Sequence, residues 1–163
     1  MDAKDQDALR QKLMDRLKAH MPKEFDITLV TLKGHLLVEE QLDKLLYAIC
    51  AEPQFLRKER ITFDLKLKFV RAFYGDGRFS AGSPWAALAA LNKVRNSLSH
   101  RVEDPNFDHY VAEFLRLTER AGSGSDPNSK TEVRFGGALG WLMGFLAGAA
   151  DTAEEGRNPF PEI

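Results

Sequence analysis

The residues Arg95-Asn96-Ser97-Leu98-Ser99-His100 place a guanidinium, an amide, hydroxyls and an imidazole within six positions. Arginine supplies a planar fork matched to phosphate oxygens, and histidine is the side chain whose unperturbed pKa lets it give or take a proton near neutrality. Together these groups suit phosphodiester chemistry. The plainer role for the same residues is local: cations answering the dipole at a helix C-terminus, with Asn and Ser as capping groups.

A helix must position them. At about 100° per residue, Leu88, Leu91, Val94 and Leu98 fall on one apolar stripe, while Asn92, Arg95, Asn96, Ser99 and His100 fan across the flank and the opposite face. Ser83 and Pro84 supply an N-cap and first helical position, and Pro105 ends the run. The predicted motif helix therefore covers about 84–100, with its polar group in the last turns beside a loop.

The rest of the chain also reads as helices. Leu9, Leu13, Leu17 and Met21 predict an amphipathic first helix stopped by Pro22, and Asp26 caps a long second helix running to about Cys50. That second helix has two apolar stripes, Leu29/Leu32/Leu36 and Val38/Leu42/Leu45/Ile49, with Gly34 and His35 near the changeover, so it needs two partners. Glu39 and Glu40 flank the stripes as candidates to orient Arg95; His35 could likewise assist at a site, its plainer role being a satisfied packing residue. Arg57, Lys58 and Arg60 form a basic cluster in the connection that follows, and with Arg101 they are candidate RNA-backbone contacts. Thr62 caps a third helix in which Phe63, Leu67, Val70 and Phe73 line up as core. A fifth helix opens at Asp104 or Asn106 and carries Phe107, Tyr110, Val111, Phe114, Leu115 and Leu117.

Residues 121–130, rich in Gly, Ser, Pro and Asn, divide this 1–120 bundle from a C-terminal segment, 131–163, that pairs an apolar helix with a polar tail. Phe135 to Ala150 lacks any charge, and Gly136, Gly140, Gly144 and Gly148 recur every fourth position on one face. Such a face allows close helix contact, in a membrane or in a soluble bundle. At 1.5 Å per residue the run spans about 24 Å, short of a roughly 30 Å hydrocarbon core. The expectation is a helix packed on the bundle or across a dimer, with membrane association the lesser alternative.

The chain has 163 residues and a formal net charge of −1, which fits one all-α domain, an up-down bundle of about six helices, and supplies no overall basic excess for nucleic acid. Any RNA contact must be local. One cysteine, Cys50, precludes an intramolecular disulfide, and the polar N-terminus has no signal-like apolar run, so a cytoplasmic location is expected. Four scattered histidines and that cysteine do not make a zinc site, and neither metal nor cofactor is expected.

The Arg95 to His100 spacing, with a polar residue directly after the arginine, resembles the signature motif of the HEPN superfamily of small helical-bundle proteins. Gly34 to Leu46 resembles that family's long central helix and Phe63 to Phe73 its third, so the likeness covers roughly Thr28 to Leu117. The resemblance implies a metal-independent endoribonuclease, acting as a toxin or antiviral-defence RNase, often beside a nucleotidyltransferase-like antitoxin. It implies attack by the ribose 2′-hydroxyl on phosphorus, leaving a 2′,3′-cyclic phosphate. His100 would be general base or acid, Arg95 would stabilise the phosphorane charge, Asn96 would orient the histidine or a phosphate oxygen, and Ser99 would support them. One copy offers one Arg and one His, so the composite site of the family implies a C2 homodimer. A more distant likeness, to the mannitol-operon repressor family, implies instead a non-catalytic helical dimer for protein contacts, with Arg95 and His100 in a buried polar network.

Overall fold

The computed structural model describes residues 3–75, 82–100 and 104–155, without the side chains of residues 3, 6, 99 and 100. These residues form six helices and no strand: α1 (Ala3–His20), α2 (Ile27–Ile49), α3 (Phe63–Tyr74), α4 (Pro84–His100), α5 (Phe107–Ala121) and α6 (Thr131–Glu154), with a 3-10 turn at Pro53–Phe55. The protein is an all-α helical bundle.

The helix ends follow from side-chain chemistry. Asp26 accepts a hydrogen bond from the Leu29 amide at 3.0 Å, and Thr62 accepts one from Leu65 at 3.4 Å, each satisfying an amide that the first helical turn leaves without a partner. Gly75 (φ 76°) ends α3 and Gly122 (φ 107°) ends α5 in left-handed geometry that a side chain would oppose.

Helix α2 is the axis of the bundle. Val38, Leu42 and Leu45 are fully buried, and Leu88, Leu91 and Val94 of α4 and Leu139, Leu142 and Leu146 of α6 are buried with them. Thr31, Gly34 and Val38 share the α2 face turned to α6; a Cβ on Gly34 would lie 2.4 Å from a Leu139 methyl, so the two helices approach as closely as glycine permits.

Two expectations about packing change, and the α2 stripe expected to meet a bundle helix or another subunit finds no cover among the described residues. The other α2 stripe is uncovered, with Leu29 and Leu32 each 37% and Leu36 61% exposed. On α3, Phe73 is exposed and Tyr74 packs in its place, edge-on to Trp85 with ring centres 5.5 Å apart. On α4 the buried stripe stops at Val94: Leu98 is half-buried, and the buried residue of that turn is Ser97, whose hydroxyl donates to the Val94 carbonyl at 2.7 Å.

The glycine face of α6 is mostly open. A Cβ on Gly140 would strike Met14 of α1 at 2.7 Å, whereas at Gly136, Gly144 and Gly148 it would meet nothing. Gly140, Gly144 and Gly148 floor a groove of about 530 Å³ between α6 and the first half of α1, walled by Trp141, Phe145 and Tyr74. Among the described residues α6 is the one helix long and apolar enough to cross a membrane, and half of its most apolar stretch is buried inside the bundle.

Candidate polar site at the junction of α2, α3 and α4

The face of α4 opposite its buried stripe meets α2 through polar atoms. Asn92 Oδ1 accepts a hydrogen bond from His35 Nε2 at 3.2 Å, joining residues 57 apart in sequence. His35 is only 4% exposed, and its ring packs on Phe63, the first residue of α3, with centres 4.4 Å apart. Its Nδ1 lies 3.8 Å from a Glu39 carboxylate oxygen one helical turn on. Glu39 is in turn held by Lys66 Nζ of α3 at 2.8 Å, and the same ammonium holds Asp43 at 2.8 Å. A continuous polar chain, Asp43–Lys66–Glu39–His35–Asn92, thus crosses three helices inside an otherwise apolar bundle.

The charges along this chain follow from its surroundings. Burial, above all, holds the His35 pKa below the ordinary 6.5; Glu39 and the Asn92 hydrogen bond push it up, and the charges of Arg95 and Lys66 push it down again. His35 is therefore neutral at pH 7, and it serves as a hydrogen-bond donor through Nε2. Burial also works against the Lys66 charge, but hydrogen bonds to Asp43 and Glu39 and the charges of both carboxylates outweigh it, raising its pKa above 10.5.

Arg95 and Asn96 lie one turn beyond Asn92. Both are half-buried, and Arg95 Nη1 donates to Asn96 Oδ1 at 3.3 Å. The side chains of Ser99 and His100, and all of Arg101, lie outside the described residues, while the backbone of α4 continues through His100. Glu40 pairs with Arg16 of α1, whereas Glu39 belongs to the polar chain beside His35. Arg57 stacks its guanidinium 4.6 Å above the Tyr47 ring; Lys58 and Arg60 are exposed on the connection that leads into Phe63. Among the described residues, no group of three or more His, Cys, Asp or Glu side chains could hold a metal ion.

Sequence reasoning left Lys66 out of the site. Its signal was faint: a lysine between Leu65 and Leu67 on an apolar-rich helix, next to a flank that contains two acids of α2. Asn92 was legible as a face residue, but its partner was not. No protein-family model matches the chain, and no curated protein or solved structure is significantly similar to it.

Proposed function

We propose that the C-terminal end of α4 is a metal-independent RNA-cleaving site of the HEPN type, completed by a second copy of the chain. The observation that carries this reading is the half-buried Arg95–Asn96 pair, set on a helix whose Asn92, one turn earlier, is anchored to the bundle interior by His35. A guanidinium fixed beside an amide can take a phosphate oxygen bidentately, and His100, on the same helix, supplies the proton-transfer group. The 2′-hydroxyl attacks phosphorus, the 5′-oxygen leaves with a proton, and Arg95 balances the charge that builds on the non-bridging oxygens. The basic connection Arg57–Arg60 leads into Phe63, which packs on His35, and offers backbone contacts.

Homodimerisation is supported by the uncovered stripe Leu29, Leu32 and Leu36, with half-exposed Phe25 preceding it, on the α2 flank next to His35. A toxin or defence role, a nucleotidyltransferase-like antitoxin and a cytoplasmic setting belong to the same proposal.

The test is cleavage of a panel of RNAs in excess chelator, with the new ends read by mass spectrometry. The expected products carry 2′,3′-cyclic phosphate and 5′-hydroxyl ends, and Arg95→Ala or His100→Ala abolishes them with the dimer retained. Leu36→Glu is expected to yield a monomer that no longer cleaves. A wild-type dimer inert toward every RNA offered would leave the scaffold role, with the polar chain fixing helix register.

A further inference from the structure

The last turns of α4 are weakly held by apolar contacts. Leu88, Leu91 and Val94 are fully buried, but beyond them Leu98 is half-exposed and Ser97 spends its hydroxyl on its own helix. The buried stripe sets the rotation of α4 as far as Val94, and on the flank that carries Arg95 it is joined by Asn92, one turn earlier. Asn92 is held by His35, whose ring packs on Phe63, and the Glu39–Lys66 pair lies 3.8 Å from its other nitrogen.

We infer that His35 is the positioning residue for Arg95: its hydrogen bond to Asn92 aims the guanidinium, and a proton taken up by the ring spoils that aim. The groups facing the ring are Glu39 from α2, Lys66 from α3 and Arg95 from α4, together with the neutral Asn92 and Phe63. A proton on His35 enters at Nδ1, 3.8 Å from Glu39, and leaves Nε2 donating to Asn92; what changes at Arg95 is the charge, a third cation beside Arg95 and Lys66 against the single carboxylate of Glu39. The site thus has an acidic limb that does not belong to His100. This inference rests on the RNA-cleaving reading for its activity arm alone.

The experiment combines cleavage kinetics with NMR on the full chain. His35→Leu and Asn92→Ala are each expected to lower kcat about tenfold with little change in KM, and the double variant to be no worse than either, as for residues acting through one bond. His35→Gln, which keeps a donor near the position of Nε2 but cannot titrate, is expected to recover to within about threefold of wild type and to lose activity less steeply below pH 6.5. In the wild type, the Arg95 Nε–H resonance should shift as His35 titrates, and it should stay still in His35→Gln. Full activity in His35→Leu, or an Arg95 signal indifferent to the His35 titration, overturns the inference. An Arg95 signal that follows His35 in a protein that cleaves no RNA upholds the positioning and sinks the nuclease instead.

Discussion

Helix α2 meets its neighbours in two unlike ways. Toward α6 the contact is apolar and as close as a glycine allows, Gly34 against Leu139. Toward α3 and α4 the apolar contact is joined along one flank by a row of charges and hydrogen bonds, Asp43–Lys66–Glu39–His35–Asn92. Burying such groups gains less than burying leucines, because each gives up its water and recovers at best an equivalent bond. The apolar junction holds the bundle together, and the polar one fixes how α4 is turned, which is what a reactive group at its end requires.

The comparison can be broken at its apolar side first. Leu139→Ala is expected to destabilise the fold by about 2–5 kcal/mol in denaturant unfolding, the usual range for a fully buried leucine. Gly34→Ala alone overpacks the contact. In the Leu139→Ala background the same alanine fills vacated space and adds helix propensity of about 1 kcal/mol, so its effect should reverse sign. Additivity of the two would mean that the helices do not touch there.

On the polar side the expected effect is smaller. Lys66→Ala leaves Glu39 and Asp43 facing each other, partly buried, at a cost of about 1–3 kcal/mol near pH 7. Because the Lys66 pKa is raised in the fold, its stabilisation is fully present below the ordinary lysine value of 10.5 and fades as pH climbs through the higher folded-state value. Wild type and Lys66→Ala should therefore converge in alkaline urea titrations; curves that stay parallel would remove the ion pair from the account.

The smallest effect tests the apolar junction for polar residues that do nothing. Thr31 is fully buried on the α6-facing side of α2, and its hydroxyl has no hydrogen-bond partner among the described residues. Thr31→Val keeps the shape and removes the stranded oxygen, so it should raise stability by about 1 kcal/mol, measured as a higher denaturation midpoint. Loss of stability would reveal a partner for that hydroxyl.

Helix ends were legible in the sequence because they are local: Asp26, Thr62 and Pro84 act on backbone groups within a few residues. The inner α2 stripe was legible for the same reason, since Val38, Leu42 and Leu45 repeat on one face. Periodicity could not separate Phe73 from Tyr74 as the core residue of α3, because three- and four-residue steps from Val70 both fall near the same face. Nor could it find His35 against Asn92, a contact between α2 and α4 that depends on how the helices stack. The glycine repeat of α6 pointed to a close approach, yet the closest one is made by Gly34 of another helix; α6 contributes a leucine there.

The groove lies beneath the first half of α1. Leu13 and Leu17 seat the second half of that helix, while its first turns rest above bare glycine backbone with Leu9 only partly covered. Too few methyl groups lie under those turns to resist thermal lifting, so their amides should trade protons with solvent well ahead of α2 and α6, and the molecule should begin to come apart from that corner.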